Sequence, residues 1–136
     1  MAKNPEAYVD TSALIALLDR SDTYHPLFRQ LFSKPPKLST TSLVIAEGHG
    51  WFLKRYDRYR AMQFMAFIED LTPLIVFPAG PAEIKSGVAL MRKYSDQDLT
   101  LADAVGLQLM ATRKLRQCWS TDFHLGLGGA ALVINQ

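Results

Sequence analysis

Short apolar runs alternating with longer stretches of helical period set the pattern of this chain. Ala7-Tyr8-Val9 reads as a buried strand over 7–10, and apolar spacing of three and four residues predicts helices over 12–19 and 24–33. A short strand is expected at 37–39, followed by helices over 42–55 and 58–71. Pro73 and Pro78 bracket a strand over 74–77, and Pro81 suits the first turn of a helix over 81–93. Residues 94–99 are polar and read as a loop, 101–113 as a helix apolar on most sides, 116–120 as a fourth strand and 131–134 as a last one. Such alternation predicts an α/β fold with a central, mostly parallel sheet covered on both faces.

No internal repeat, low-complexity tract or flexible linker interrupts the pattern. Gly126-Leu127-Gly128-Gly129 is a turn into the last strand. It lacks the following helix and the lysine of a phosphate loop. At 136 residues the chain is expected to be one domain, 1–136, able to bury a core without help. No apolar run approaches the roughly 20 residues that span a bilayer. No signal-peptide core follows Met1-Ala2-Lys3-Asn4-Pro5, so a cytoplasmic protein with no membrane partner is expected. The single cysteine, Cys118, lies in a predicted strand and reads as a buried, inert thiol. The net charge of +2 permits nucleic-acid binding without announcing it. Lys54, Arg55, Arg58 and Arg60 crowd one helix connection and Arg113, Lys114 and Arg116 another; solvated helix ends and phosphate contacts explain both equally well.

Against this background four carboxylates stand out. Asp10 and Asp122 end predicted strands, Asp103 is the only charge between Leu99 and Thr112, and Glu47 lies past the first turn of its helix. The face-neighbours expected for Glu47 are Leu43, Val44 and Trp51, so its carboxylate is expected to point inward, toward the sheet. Each acid has a structural alternative: Asp10 as a helix cap, Asp103 in a capping box with Thr100, Asp122 as a turn residue before a short helix, Glu47 in a buried pair with an arginine. Convergence separates the readings, because independent caps have no reason to meet at one sheet edge. An unpaired buried carboxylate costs several kcal/mol. A divalent cation removes that penalty, and oxygen ligands without a histidine or cysteine cluster favour Mg²⁺ or Mn²⁺ over zinc. His25 and His49 read as structural or exposed; His124 could reach a phosphate but is not counted among the site residues. No serine or cysteine sits in a nucleophile elbow, which argues against acyl chemistry.

With these residues in view the sequence resembles the PIN-domain ribonucleases, in particular the VapC-like toxins of type II toxin–antitoxin pairs. The resemblance is carried by Tyr8-Val9-Asp10-Thr11-Ser12, Ala46-Glu47, the run Asp96-Gln97-Asp98-Leu99-Thr100-Leu101-Ala102-Asp103-Ala104, and Ser120-Thr121-Asp122-Phe123-His124. It implies a three-layer α/β/α domain in which Asp10, Glu47, Asp103 and Asp122 form an acidic catalytic pocket. In that pocket Asp10, Asp103 and Asp122 hold Mg²⁺ or Mn²⁺, and Thr11, Ser12 or Thr121 lend hydroxyls; Asp96 and Asp98 are extra acids, either of which could support the ligands or bind a second metal. It implies endonucleolytic cleavage of RNA and inhibition by a small antitoxin. Gly48 and Gly50 beside Glu47, and Leu125 after the last histidine, depart from the family pattern. Tyr56, Tyr59, Met62, Phe64, Met65 and Phe67 suit either core packing or a homodimer or antitoxin surface. Competing expectations are an RNA-binding or interaction module with an inactive site, and a small-molecule phosphatase.

Overall fold

The computed structural model describes residues 5–136; the chain start at 1–4, read above for a signal peptide, lies outside them. Five strands, β1 (Ala7–Val9), β2 (Leu38–Thr41), β3 (Leu74–Phe77), β4 (Gln117–Trp119) and β5 (Ala131–Leu132), form one parallel sheet in the order β3-β2-β1-β4-β5. Six helices connect them: α1 (Thr11–Leu18), α2 (His25–Leu31), α3 (Ser42–Arg55), α4 (Arg58–Asp70), α5 (Pro81–Lys93) and α6 (Leu101–Arg113). α1 packs on α2 and α3, α3 on α4, and α5 on α6, giving a three-layer α/β/α arrangement. Among the described residues no helix is long and apolar enough to cross a membrane.

Boundaries depart from the sequence reading where polar side chains are buried. β2 runs to Thr41 rather than stopping at 39, because it is paired on both sides and its hydroxyls have partners. Thr40 Oγ1 donates to the Val9 carbonyl at 2.6 Å, and Ser39 Oγ donates to the Glu6 carboxylate. The last strand is only Ala131–Leu132, since Val133–Asn135 tightens into a 3₁₀ turn. The expected aromatic and methionine patch divides: Phe64 is buried and Met65 and Phe67 pack on the core, whereas Tyr56, Tyr59 and Met62 are exposed. Cys118 is buried, as expected of an inert thiol.

The amino end of the sheet is tied by an ion pair. Arg113 at the end of α6 grips Glu6 through Nε at 3.1 Å and Nη2 at 3.0 Å, with Lys37 Nζ at 3.8 Å. Burial pushes the Glu6 carboxyl up, but the Ser39 and Arg113 hydrogen bonds and the two cationic charges outweigh it, leaving its pKa below the ordinary 4.5. A carboxyl bound less tightly to its proton in the folded chain stabilises above the unfolded pKa, and loses that contribution as pH falls through the folded value. Glu6→Gln is therefore expected to cost about 1–2 kcal/mol at pH 7. Urea titrations at descending pH should show the gap to wild type closing below the ordinary carboxylate range, and a pH-independent gap would show that charge contributes nothing.

Candidate active site

β1 and β4 are adjacent although distant in sequence, with Tyr8 paired to Cys118: the chain builds β1, β2 and β3 outward on one side, then returns to lay β4 on the other flank of β1. The carboxyl edge at such a reversal is where open α/β sheets form their crevice. Val9 is paired with Trp119, and the Asp10 amide donates to the Trp119 carbonyl at 3.0 Å, so the residues leaving both strands stand side by side.

Asp10 occupies the cap position of α1, yet its side chain makes no capping bond. Instead its Oδ2 accepts from Ser12 Oγ at 2.8 Å and Ser120 Oγ at 2.9 Å. Those hydroxyls are held in turn: Ser12 Oγ accepts from the Thr121 amide at 3.0 Å, and Ser120 Oγ from the Asp122 amide at 2.9 Å. With their lone pairs engaged by amides, both serines direct protons at Asp10. Burial nevertheless raises the Asp10 pKa, the two serine bonds opposing it and the charge of Asp122 adding to it.

Asp103 performs the capping role and joins the site as well. Its Oδ2 accepts from the Thr100 amide at 3.2 Å, while its own amide donates to Thr100 Oγ1 at 3.1 Å. Its pKa is raised, first by burial and then by the charges of Asp10 and Asp122, against the Thr100 bonds. Asp122 caps a 3₁₀ turn, Phe123–Gly126, through its Oδ1, which accepts from the His124 amide at 3.0 Å and lies 2.8 Å from His124 Nδ1.

Glu47 corrects the inward-pointing expectation. The buried positions of α3 are Val44, Gly48 and Phe52, spaced four apart, and Glu47 stands one residue off that stripe, about 100° around the helix. Much of its side chain is exposed at the rim, and its partner is Thr11 Oγ1, donating at 2.6 Å, rather than an arginine. Partial burial, opposed by that bond, and then the charges of Asp10, Asp103 and Asp122 raise its pKa. Gly48 is explained by packing: a Cβ there would lie 2.2 Å from Phe64 Cζ.

The structure thus brings the four acids together with Thr11 and Ser12. Thr121 contributes its amide rather than its hydroxyl. Asp98 and Asp96 stand exposed on the loop ahead of α6, outside the hydrogen bonds that tie the site. Ser120 entered the sequence reading only as part of the resemblance, and His124 was weighed there but not counted as a ligand. Only the β1–β4 register reveals Ser120, and the Asp-x-His spacing was the available signal for His124.

The PIN domain model matches residues 7–124 of the sequence. The chain belongs to the PIN-domain family. No curated protein sequence matches this PIN domain significantly. Among solved structures, it resembles the Mycobacterium tuberculosis toxin VapC20, described as cleaving the sarcin–ricin loop, with a TM-score of 0.84 at 20% identity over 92% of this chain and 96% of that one. A toxin–antitoxin complex from Klebsiella pneumoniae aligns with a TM-score of 0.62 at 21% identity over 93% and 95% of the two chains. PAE2754 from Pyrobaculum aerophilum aligns with a TM-score of 0.64 at 21% identity over 96% and 92%.

The donor set of this PIN domain fits a divalent cation. Ligand atoms of Asp103, Asp122 and His124 lie within 4.8 Å of one another, and the proton affinity of Asp10, Glu47 and Asp103 is raised first by burial and then by the charges of neighbouring acids. Among the described residues no lysine or arginine lies within 4 Å of any of the four carboxylates. His124, at Asp122, extends an otherwise oxygen-only set with an imidazole, a ligand that Mn²⁺ accepts more readily than Mg²⁺ does.

Proposed function

We propose that this chain is an endoribonuclease dependent on Mg²⁺ or Mn²⁺, and the toxin component of a type II toxin–antitoxin pair, acting in the cytoplasm as a single domain over 1–136. The observation that carries this reading is the meeting of Asp10, Glu47, Asp103 and Asp122 at the β1–β4 edge of a PIN fold with no lysine or arginine paired to them among the described residues. The toxin names of the similar structures support the biological role.

Asp10, Asp103 and Asp122 would hold the cation, with His124 within reach. When bound, the ion supplies Lewis acidity that activates water and neutralises charge building on phosphoryl oxygens. Ser12 and Ser120 keep the Asp10 carboxylate in one orientation, and His124 does the same for Asp122, the supporting role that outer partners play at metal sites. Glu47, exposed at the rim and steadied by Thr11, is placed to orient the attacking water and accept its proton. An RNA backbone and a competing antitoxin would approach the same open edge, where an antitoxin arginine could substitute for the charge of the cation. The exposed Leu53, Tyr59 and Met62 support a protein interface on the α3–α4 face, for a homodimer or for the antitoxin.

Purified, antitoxin-free protein should generate new 5′ ends in total RNA with Mg²⁺ or Mn²⁺, and none with chelator. RNA that stays intact with a folded, metal-binding preparation, yet binds in a salt-sensitive manner, would make the chain an RNA-binding module with an inactive site.

A further inference from the structure

The acidic site has an aromatic lip. Phe123, the residue after Asp122, is 67% exposed in a chain whose other phenylalanines are buried or packed on the core apart from Phe77. Its ring is held rather than loose: it stacks on His124 with centroids 4.2 Å apart and planes at 30°. His124 in turn is fixed to Asp122 at 2.8 Å. One face of the phenyl ring is therefore occupied by the imidazole bonded to Asp122, and most of the rest of the side chain is open to solvent.

Keeping a large apolar ring exposed there has no folding benefit, since burying it would be worth roughly 1.5–3 kcal/mol. A rigid exposed aromatic is what a single-stranded nucleic acid uses, because every nucleobase has a face that can stack on it. The rim at Glu47 favours the same polyanionic occupant. A groove of about 680 Å³ leads from Thr11 and Glu47 past Ile15 and Trp51 to Lys54 and Arg55. Neither cation has a carboxylate within 4 Å among the described residues. Helical rise puts Lys54 about 10 Å along α3 from Glu47, beyond one nucleotide step from the acids.

We propose that Phe123 is the stacking platform for an unpaired base flanking the scissile phosphate, so that the enzyme selects single-stranded or looped-out RNA. This inference rests on the ribonuclease reading above. A base on the open face of Phe123 would bring its adjoining phosphate to Asp103 and Asp122, and a paired base, held in its helix, would be unable to reach the ring.

The test compares wild type, Phe123→Ala, Phe123→Leu and Phe123→Trp on a cleaved oligoribonucleotide presented single-stranded and then annealed to its complement. Phe123→Ala and Phe123→Leu should raise KM about 5- to 150-fold with kcat little changed, the span expected for losing one base stack, whereas Phe123→Trp should retain wild-type KM. In chelator, 2-aminopurine placed beside the cleavage position should be quenched on binding to wild type and Phe123→Trp but not to Phe123→Ala. Cleavage by Phe123→Ala with unchanged KM and undiminished quenching would overturn the platform while leaving the ribonuclease intact. So would equal cleavage of single-stranded and annealed RNA. A Phe123→Ala protein that loses only a protein inhibitor would reassign the ring to a partner surface. If wild type cleaves nothing but still quenches 2-aminopurine through Phe123, the platform stands and the nuclease reading fails.

Discussion

Asp10→Asn is expected to lower metal-dependent RNA cleavage on the order of 10³-fold while making the metal-free protein more stable at neutral pH. The two effects have one cause. Asp10 is buried and its pKa is raised, so ionising it in the folded chain works against burial and against the charge of Asp122. A carboxyl that binds its proton more tightly when folded contributes fully below the unfolded pKa, and that contribution is lost as pH rises through the raised value. Wild-type metal-free protein should therefore lose stability as pH climbs above the ordinary carboxylate range, and Asp10→Asn should lose less. Asp103→Asn should behave alike, since its pKa is raised by the same neighbours. Adding Mg²⁺ or Mn²⁺ at pH 7 should raise the wild-type Tm, by the equivalent of about 2.7 kcal/mol at 100 times Kd, and raise that of Asp10→Asn far less. Thermal melts with and without chelator, alongside cleavage rates, make the comparison. An Asp10→Asn enzyme with wild-type rates would remove Asp10 from the site, and one destabilised to the same extent with and without metal would show that the carboxylate serves the fold alone.

Gly48→Ala should be the most damaging single methyl in the chain. The added Cβ would lie 2.2 Å from Phe64 Cζ and 2.6 Å from Cε1. Alanine brings a helix-propensity gain of about 1 kcal/mol. Overpacking costs typically 1–3 kcal/mol and occasionally more, and here the obstacle is a buried ring already backed by Phe52, 5.6 Å away between centroids. The overlap wins, with an expected net loss of about 2 kcal/mol or more. Glu47 is the preceding residue, so α3 cannot move off Phe64 without carrying the rim carboxylate with it, and cleavage should fall as well. Phe64→Leu in the Gly48→Ala background should recover part of the stability, a coupling that denaturant titrations of the two single variants and the double variant would read. Gly50→Ala is the control: nothing lies within 4 Å of its would-be Cβ, so propensity alone should make it neutral or stabilising. Equal behaviour of the two alanines would contradict the close approach of α3 and α4.

Long amphipathic segments were legible from sequence because their period needs no partner. α3, α5 and α6 begin and end where spacing, Pro81 and Thr100 place them. β2 was read short because Thr40 and Thr41 look like a loop until the Val9 carbonyl is there to accept the Thr40 hydroxyl and β3 is there to pair with both. Three of the acids could be located by composition alone, as charges at the ends of apolar strands or inside an apolar helix. Glu47 was found for a partly mistaken reason: it faces the rim and not the core, a difference of one residue that the phase of α3 against α4 determines.

Local chemistry therefore determined by itself which segments are helices and strands, that the class is α/β, and which carboxylates are candidates for a shared site. Tertiary structure alone decided that β4 lies beside β1, which sets Ser120 against Asp10 and brings His124 to Asp103 and Asp122. The physical reason is that periodicity and capping act over a few residues, whereas strand order depends on how helices of given length cover the sheet. The proton affinity of each acid is a sum over charges and burial that exist only once distant segments have met.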